Sequence, residues 1–507
     1  METFNDNEEF VEIENSVDSL EESSMLWTPT IGSEIENVIA QIPENSRDTI
    51  RRESVEVLGH CLPPDSTMSP RTGLIVGYIQ SGKTFSFTTV SALAHDNNFQ
   101  VVIVITGVSK NLFSQTTERL ESDLSTEGFF DRKWELYTTD DTEFRRGDPD
   151  SIRVHLQRYS DPRIDPRERR SVIIVAMKQR QHLERLVNVF GQLDLSNVPA
   201  LIIDDEADQA SLNIRVRVDE ESSTYRRILD LRDNFPLHTY LQYTATPQAL
   251  LLINLIDLLS PDFAYTLTPG ETYTGGSTFF EDYLQRLVRQ IPPRDIPNRN
   301  KASKTPTDSL LYSLKIFFVG VAAGWINRSN SSNVNRSMMI HPDRRTAGHN
   351  KYYQWVRSIK DHWEAILEKD IDDRDRVELL EEFRDAYEDL NETAIELPLF
   401  DDIARQLPIM IRETRVHEVN ARTGRTPEIP WNRFYSHILV GGQALDRGFT
   451  VEGLTVTYMP RPLGVGNADT VQQRARWFGY KAGYLGYCRV FLSDRAIQTY
   501  QEYVNHE

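Results

Sequence analysis

The chain has 507 residues, 39% hydrophobic and 26% charged, so its length predicts several domains and its composition excludes a disordered or fibrous chain. Its two cysteines, Cys61 and Cys488, favour a reducing cytoplasm, and neither a secretion signal nor the roughly 18 apolar residues of a membrane span is recognised. The net charge of −20 excludes binding to phosphate backbones by bulk charge. Twelve of the acids lie in residues 1–46, which contain no Lys or Arg. The rest of the chain is therefore closer to neutral, and its charge is compatible with a local basic groove.

The N-terminal segment, residues 1–46, is predicted to be a flexible acidic extension, because residues 1–25 carry few large apolar groups. From residue 34 to residue 60, apolar and charged positions alternate at helical spacing, and Pro63–Pro64 end that stretch. The first globular lobe is expected over residues 47–285.

Five short apolar runs follow in this lobe, each bounded by turn residues or polar segments. They are Gly73–Val76, Val101–Thr106, Ser171–Ala176, Ala200–Ile203 and His238–Tyr243. Helical stretches lie between several of them, and β-branched runs that alternate with helices are typical of a parallel sheet covered on both faces.

The second half shows the same alternation after an interval rich in Pro, Gly, Thr and Asn, within which a linker is predicted at residues 286–308. The second lobe, residues 309–507, begins with the apolar helix Ser309–Ile326, and a charged helical insertion is expected from about residue 352 to residue 415. Its predicted strands are Met338–His341, His437–Gly441, Leu454–Met459 and Cys488–Leu492. The predicted fold class is α/β, with two parallel-sheet lobes in tandem.

The stretch GYIQSGKT fits the phosphate-loop pattern G-x-x-x-x-G-K-[ST] between a predicted strand and a helix. In such a loop the backbone N–H groups turn toward phosphate oxygens, Lys83 neutralises the β- and γ-phosphates, and the Thr84 hydroxyl binds Mg²⁺. We therefore expect ATP and Mg²⁺ as cofactors. The expected nucleotide contacts from this loop are Gly77, Gln80, Ser81, Gly82, Lys83 and Thr84.

The buried strand Ala200–Ile203 is followed by four carboxylates within five residues, the letters DDEAD. So many like charges in one place are unfavourable without a cation. Asp205 is the candidate ligand of Mg²⁺, with Asp204 as its competitor in register. Glu206 is the candidate for polarising an attacking water molecule.

A third signal, the letters YTATP at residues 243–247, ends the next predicted strand. The hydroxyl groups of Thr244 and Thr246 could hydrogen-bond Asp208 and report the nucleotide state, although an ordinary strand-to-loop turn has the same composition. The order of phosphate loop, Asp-Glu-Ala-Asp and Thr-Ala-Thr resembles the first motor domain of superfamily 2 helicases, which is a RecA-like lobe.

The second half continues this resemblance, which implies a second RecA-like lobe. GGQALDRGFT at residues 441–450 resembles helicase motif V, and QQRARWFGY at residues 472–480 resembles motif VI. The resemblance implies further nucleotide contacts from Arg447, Gly448 and Gln473.

Arg476 in the motif VI-like stretch resembles the arginine finger of these helicases, which stabilises charge on the transferred phosphate. A structural surface pair is the alternative role for this side chain. The helicase spacing would place a second arginine at position 479, where this chain has Gly479, so Arg474 or Lys481 is the candidate substitute.

A closer resemblance is to the bacterial family named for the Z1 domain, which is described as a candidate endonuclease and is often found beside restriction and anti-phage genes with GHKL-type ATPases. The matching stretches, within residues 55–495, are Gly77–Thr84, Ile105–Leu120, Ile340–Pro342, Val440–Leu454 and Arg476–Tyr480. The resemblance implies a defence or restriction role and partners such as a GHKL-type ATPase or a nuclease. Asp446 stands where the family usually has Ser.

A motor of this kind holds one nucleic-acid strand, expected here to be DNA, mostly through phosphates at the carboxyl ends of its strands. The candidates for these contacts are Ser109, Lys110, Gln115, Lys178, Arg344 and Arg345. Each of them taken alone is also compatible with a solvated loop residue.

The sequence does not predict a nuclease centre, because it shows neither a second acidic cluster with a lysine on a strand pair nor a Cys/His zinc spacing. The predicted function is an ATP-hydrolysing, superfamily 2-like motor that acts on nucleic acid in the cytoplasm, away from membranes. The alternatives are a nucleotide-driven assembly switch for partner proteins and an endonuclease.

Overall fold

The computed structural model describes residues 24–79, 81–127, 132–208, 223–245, 259–297, 303–330, 335–343, 346–420, 429–442, 445, 451–461, 474–481 and 483–505. The chain forms two compact units, Met1–Glu271 and Thr272–Glu507. The boundary therefore precedes the linker expected at residues 286–308. Val288–Gln290, inside that interval, is a strand of the second unit, because its apolar residues pack in that unit: Val288 is buried and Ile291 is fully buried.

A single parallel sheet forms the centre of the first unit. Its strands are β1 (Arg71–Val76), β2 (Val101–Thr106), β3 (Trp134–Thr138), β4 (Ser171–Met177), β5 (Ala200–Asp205), β6 (His238–Thr244) and β7 (Phe263–Thr266). They are arranged in the order β3-β4-β2-β5-β6-β1-β7, and every pairing is parallel. The five predicted strands are confirmed, and the two that the sequence did not reveal, β3 and β7, are the edges of the sheet.

Helices cover both faces of this sheet. They are α1 (Ser33–Ile39), α2 (Glu44–His60), α3 (Lys83–Asp96), α4 (Lys110–Asp123), α5 (Thr142–Arg146), α6 (Asp150–Ser160), α7 (Arg180–Phe190) and α8 (Ser223–Asp233), with a 3₁₀ turn at Pro166–Glu168. Successive side chains of β2 enter two different cores, Val102 and Val104 on one face and Ile103 and Ile105 on the other. This double burial explains why the central strands are continuous apolar runs.

Residues 1–23 lie outside the described part, and the structure corrects the expectation of a flexible extension from residue 33 onward, where α1 and the start of α2 form. Three apolar side chains of α1 are fully buried, those of Ile35, Val38 and Ile39. The carboxylate of Glu34 is buried as well and accepts hydrogen bonds from the Ser125 N–H at 2.9 Å and from Trp134 Nε1 at 2.8 Å. An acidic residue is stable inside a protein when hydrogen-bond donors satisfy its oxygens. The number of acids in the segment therefore did not reveal that Glu34 is buried and holds α1 in place.

The second unit contains a second parallel sheet. Its strands are β9 (Val288–Gln290), β10 (Arg336–Ile340), β11 (Arg415–Val419), β12 (Ser436–Gly441), β13 (Leu454–Met459) and β15 (Arg489–Leu492), in the order β11-β12-β10-β13-β15-β9. A separate antiparallel ribbon joins β8 (Tyr273–Thr274) to β14 (Gly479–Tyr480). The four predicted strands are confirmed, and the two unpredicted strands of the parallel sheet, β9 and β11, are again its edges. The chain is therefore an α/β protein with two parallel-sheet, RecA-like lobes in tandem.

Helices pack around the second sheet as they do around the first. They are α9 (Leu284–Leu287), α10 (Asp308–Ile326), α11 (Thr346–Leu367), α12 (Arg374–Asn391), α13 (Phe400–Glu413) and α14 (Asp494–Asn505), with a π turn at Thr278–Asp282 and 3₁₀ turns at Pro293–Asp295, Asn327–Asn330 and Leu485–Tyr487. Helices α11 to α13 occupy the place of the expected insertion. Among the described helices, α10 alone is long and apolar enough to cross a bilayer, and 78% of its most apolar window is buried in the unit.

Candidate nucleotide-binding site

Three of the sequence motifs leave the first sheet at one edge. Strand β6 lies between β1 and β5, and its residue Tyr243 is in register with Ile75 on one side and Asp205 on the other. Because all three strands are parallel, the phosphate loop after β1, the acidic turn (residues 204–208) at the end of β5, and Thr244, the last residue of β6, lie at the same carboxyl edge. This is the edge at which open parallel sheets bind ligands.

The phosphate loop ends at Gly82, whose backbone is left-handed with φ +101° and ψ +23°, and α3 begins at the next residue. A side chain at Gly77 would collide with Lys83, since an ideal Cβ there would lie 2.7 Å from the Lys83 Cγ. The Lys83 ammonium group donates to the Tyr78 carbonyl at 3.1 Å and to the Gly77 carbonyl at 3.4 Å. The lysine is thus curled over its own loop.

These loop residues suit a nucleotide phosphate. The N-terminus of α3, a helix of 14 residues, presents its first N–H groups and the positive end of its dipole to the loop. Ser81 donates to the Tyr78 carbonyl at 2.8 Å, which braces the turn, and Thr84 is half-buried in the first helical turn. Gln80 lies outside the described residues.

Asp205 is buried, with 6% of its surface exposed. Burial, and after it the neighbouring Glu206 carboxylate, raise the pKa of Asp205 to about 7, whereas the ammonium groups of Lys83 and Lys178 act in the opposite direction. Lys83 and Asp205 are therefore within electrostatic reach of each other. A carboxylate held in such surroundings gains stability from a cation beside it.

The competitor in register, Asp204, is already engaged elsewhere. It is fully buried, forms an ion pair with Lys178 and accepts a hydrogen bond from the Tyr240 hydroxyl. This leaves Asp205 as the candidate ligand of Mg²⁺. Nothing in the sequence singled out Tyr240, which lies on a strand that is buried throughout.

Glu206, the candidate for polarising water, lies in the turn that follows β5. Its backbone has φ +60°, a left-handed conformation that residues other than glycine seldom adopt and that is concentrated at functional sites. The following residue, Ala207, donates its N–H to the Tyr243 carbonyl at 3.0 Å, so the turn is bonded to the neighbouring strand.

Mg²⁺ at this edge would need oxygen ligands besides protein carboxylates. Within the described part of the chain, no group of three or more His, Cys, Asp or Glu side chains is arranged to hold a metal ion. The Asp205 carboxylate and the Thr84 hydroxyl are the oxygen donors to which phosphate oxygens and water would be added, which is the usual coordination of Mg²⁺ by one or two carboxylates plus a nucleotide.

Lys178 is a correction to the sequence prediction. It was expected to contact nucleic acid, but its side chain is fully buried and paired with Asp204. A lysine at the end of a strand is compatible with either environment, and the buried carboxylate of Asp204 determines which one is adopted. The residue belongs to the interior beneath the candidate nucleotide site.

The other candidates for nucleic-acid contact in the first unit follow β2. Ser109 caps α4, where its Oγ accepts a hydrogen bond from the Leu112 N–H at 3.3 Å. Lys110 is exposed and Gln115 is half-buried. All three follow the carboxyl edge that carries the phosphate loop. Arg344 and Arg345, of the second unit, lie outside the described residues.

In the second unit, Arg476 is half-buried, and its N–H donates to the Arg474 carbonyl at 2.7 Å. The next two residues, Trp477 and Phe478, are buried against the aromatic side chains of Phe280 and Tyr500. This aromatic anchor fixes the backbone immediately after Arg476. The other expected contacts of this half, Arg447, Gly448 and Gln473, lie outside the described residues.

The structure explains why Gly479 stands where helicases have a second arginine. Its φ of +122° is a conformation that side chains with a Cβ rarely adopt. The suggested substitutes are poorly suited, since Arg474 and Lys481 are both buried. Lys481 donates to the Leu454 carbonyl at 2.7 Å, and burial lowers the pKa of its ammonium group.

A polar pair that the sequence did not indicate lies beyond two central strands of the second sheet. Arg461, which follows β13, is hydrogen-bonded through Nη1 to His341 Nε2 at 2.7 Å, and both side chains are buried. His341 belongs to the Ile-His-Pro stretch of the Z1 resemblance, so this contact gives that stretch a structural role.

Residues 309–507 match the family model of the Z1 domain. The expected resemblance to the Z1 family is confirmed over these residues, whereas the two stretches expected to match in the first half, Gly77–Thr84 and Ile105–Leu120, lie outside the matched region. No curated protein matches the chain.

Solved structures with similar folds include helicases, all at 12% sequence identity. The Hef helicase domain of Pyrococcus furiosus has a TM-score of 0.38, with 94% of this chain and 100% of that one covered. Dbp5 of S. cerevisiae, bound to RNA and ADP BeF3, has a TM-score of 0.42, with 93% and 94% covered. The DUF1998 helicase MrfA, bound to DNA, has a TM-score of 0.44, with 96% and 56% covered. Likenesses this distant concern the fold alone and do not assign a function to this chain.

Proposed function

We propose that this chain is an ATP-hydrolysing motor of the superfamily 2 helicase type that acts on nucleic acid. The observation that carries this proposal is the meeting of the phosphate loop and the acidic turn at one edge of the first sheet. Groups that are suited to bind phosphate and a metal ion therefore lie at the same edge of the sheet, which supports ATP hydrolysis as the reaction.

Each residue has a separate task in the proposed reaction. Lys83 and the N-terminus of α3 bind the phosphates, and Asp205 with Thr84 holds Mg²⁺, which supplies neutralisation of the phosphate charge when bound. Glu206 orients and polarises the attacking water. Arg476 adds a positive charge that is needed only as the phosphate is transferred.

Action on nucleic acid, expected to be DNA, is proposed because Ser109, Lys110 and Gln115 follow the edge that carries the nucleotide site. Residues 309–507 match the Z1 domain, and from the resemblance to that family we propose a role in a defence or restriction system, with protein partners such as a GHKL-type ATPase or a nuclease. A cytoplasmic location, for which the two buried free cysteines are suited, is part of the same proposal.

The test is ATP turnover by the purified chain, alone and with single-stranded DNA, double-stranded DNA and RNA. We expect turnover that nucleic acid stimulates and that Lys83→Ala and Arg476→Ala each lower by about 10³-fold. Arg495→Ala, at an exposed arginine on the last helix, is the matched control and should leave turnover unchanged.

Three outcomes would change the proposal. No turnover under any of these conditions would refute it. Turnover that no nucleic acid stimulates would identify an assembly switch for partner proteins. Mg²⁺-dependent cleavage of nucleic acid that survives Glu206→Gln would identify an endonuclease.

A further inference from the structure

We propose that Lys178 is a positioning residue of the nucleotide site, which holds the turn after β5 in the geometry that Asp205 and Glu206 need. This inference deepens the proposed ATP hydrolysis and rests on it. Lys178 acts through the backbone of the two candidate catalytic residues and itself touches neither nucleotide nor nucleic acid.

The Lys178 ammonium group has three N–H donors, and the structure gives it two hydrogen-bond acceptors and one ion-pair partner. It forms an ion pair with the Asp204 carboxylate and donates to the carbonyl of Asp205 at 3.0 Å and of Glu206 at 2.8 Å. The side chains of Lys178 and Asp204 are both 0% exposed, so water does not compete for these bonds. One buried cation therefore binds three consecutive residues of the acidic turn.

Lys178 reaches this turn across another strand. It follows β4, and β2 lies between β4 and β5 in the sheet. Its own N–H donates to the Thr106 carbonyl at the end of β2, at 3.0 Å. The residue thus connects the carboxyl ends of three strands, and the position of the turn after β5 depends on the sheet as a whole.

The turn needs such support because its backbone is not in a favoured conformation. Glu206 has φ +60°, and a non-glycine residue persists there only when its surroundings determine it. The Lys178 bonds to the carbonyls of Asp205 and Glu206 hold the two peptide groups that flank Glu206. We infer that these bonds stabilise the left-handed backbone of Glu206 and so the direction in which its side chain leaves the turn.

Asp204 is in turn held from the other side. The Tyr240 hydroxyl, from the neighbouring strand β6, donates to its second oxygen. The three side chains Lys178, Asp204 and Tyr240 form one buried network, and Lys178 extends it to the carbonyl groups of Asp205 and Glu206.

A buried ion pair does not by itself show a role in catalysis, and neutral replacements of similar volume are often tolerated. The informative variant is therefore the double change Lys178→Met with Asp204→Asn. It leaves no unpaired buried charge, it preserves an acceptor for Tyr240, and it removes the donors to the carbonyls of Asp205 and Glu206. Thermal unfolding establishes that this variant is folded before its activity is compared.

The matched control is Lys360→Met in α11. Lys360 is another buried lysine, and it donates to two backbone carbonyls, those of Arg412 and Thr414. Lys360 lies in the second unit. Its replacement therefore removes a similar pair of bonds from a buried lysine to backbone carbonyls without changing the turn after β5.

We expect the double variant to lower kcat for ATP by about 10- to 100-fold, as for other residues that orient functional groups, while KM changes by less than about threefold. The Lys360→Met control should retain the wild-type kcat. A folded double variant with wild-type kcat would overturn the inference. So would an equal loss of kcat in the control, because it would show a general structural effect.

A binding measurement separates this inference from the proposed function, because it requires no turnover. Affinity for a non-hydrolysable ATP analogue is measured with and without Mg²⁺. We expect Mg²⁺ to strengthen binding to the wild type and to have an effect about tenfold smaller in the double variant, since Asp205 is displaced. An undiminished Mg²⁺ effect would overturn the role of Lys178 even if the wild type hydrolysed no ATP, whereas an inactive wild type would refute only the proposed function.

Discussion

The hydroxyl group of Thr244 donates a hydrogen bond of 3.3 Å to the Asp208 carboxylate, which joins the end of β6 to the acidic turn after β5. The Thr244 carbonyl also accepts a hydrogen bond of 3.0 Å from the N–H of Gly77, the first residue of the phosphate loop. One residue therefore connects two motifs that are more than a hundred positions apart in the sequence. The hydrogen bond to Asp208 that the sequence suggested for Thr244 or Thr246 is present at Thr244; Thr246 lies outside the described residues.

Replacing Thr244 with Val tests the hydrogen bond of its hydroxyl to Asp208 separately from the hydrogen bond of its carbonyl to Gly77. Thr244→Val retains the shape and the carbonyl but removes the hydroxyl, so we expect the free energy of unfolding to fall by about 1 kcal/mol and ATP turnover to fall several-fold. Urea unfolding and steady-state kinetics measure the two effects. Thr117→Val, which removes a hydroxyl bonded to the Phe113 carbonyl, is the control for turnover. Equal activity in the two variants would show that the Thr244–Asp208 bond has no part in hydrolysis.

Changing Glu206 to Gln should affect chemistry more than binding. The amide keeps the size of the side chain but cannot accept a proton from water, so we expect kcat to fall by about 10² or more while affinity for ATP is retained. Equilibrium binding of a fluorescent ATP analogue and single-turnover hydrolysis measure these quantities. Asp205→Asn is the contrasting variant, because loss of a ligand should weaken the dependence on Mg²⁺. A Glu206→Gln enzyme with normal kcat would exclude this residue as the base.

A side chain at position 479 should destabilise the second unit. Gly479 has φ +122° and pairs with Thr274 in the antiparallel ribbon, so we expect Gly479→Ala to lower the free energy of unfolding by about 1–3 kcal/mol. Gly483→Ala is the matched control, because a Cβ there would meet no atom within 4 Å. The comparison is made by urea unfolding, and equal stability of the two variants would argue against backbone strain at Gly479.

The stability of the first unit should fall on mild acidification. Burial lowers the pKa of His95 from 6.5 to about 4. Between these two pH values, His95 is therefore protonated in the unfolded chain and neutral in the folded chain. The contribution of His95 to the free energy of unfolding is therefore fully present above about pH 6.5 and is lost as the pH falls toward 4. The loss over this range is about 3 kcal/mol.

Urea unfolding at a series of pH values between 7 and 4, compared in the wild type and in His95→Gln, measures this contribution. The variant should show a shallower decline in the free energy of unfolding over that range. Parallel curves for the two proteins would mean that His95, which is hydrogen-bonded to the Ser171 hydroxyl at 2.9 Å, does not titrate as burial predicts.

The amino-acid sequence by itself determined the central strands and the phosphate loop. A central strand such as Val101–Thr106 is buried on both faces, so every position must be apolar or small and the run is visible without a structure. The edge strands were not predictable, because Arg415–Val419 and Phe263–Thr266 are partly exposed and show no continuous pattern. The phosphate loop was visible because its glycines and lysine are required at fixed spacing along the chain itself.

Only the tertiary structure decided which of the charged residues belong to the interior of the site. Asp204 and Asp205 are adjacent and chemically identical in the sequence, and the burial of Lys178 two strands away assigns the first of them to an ion pair. In the same way, Glu34 is one of many N-terminal acids until Trp134, a hundred residues later, donates to it. The free energy of a buried charge depends on partners that are distant in the chain, and local composition carries no information about them.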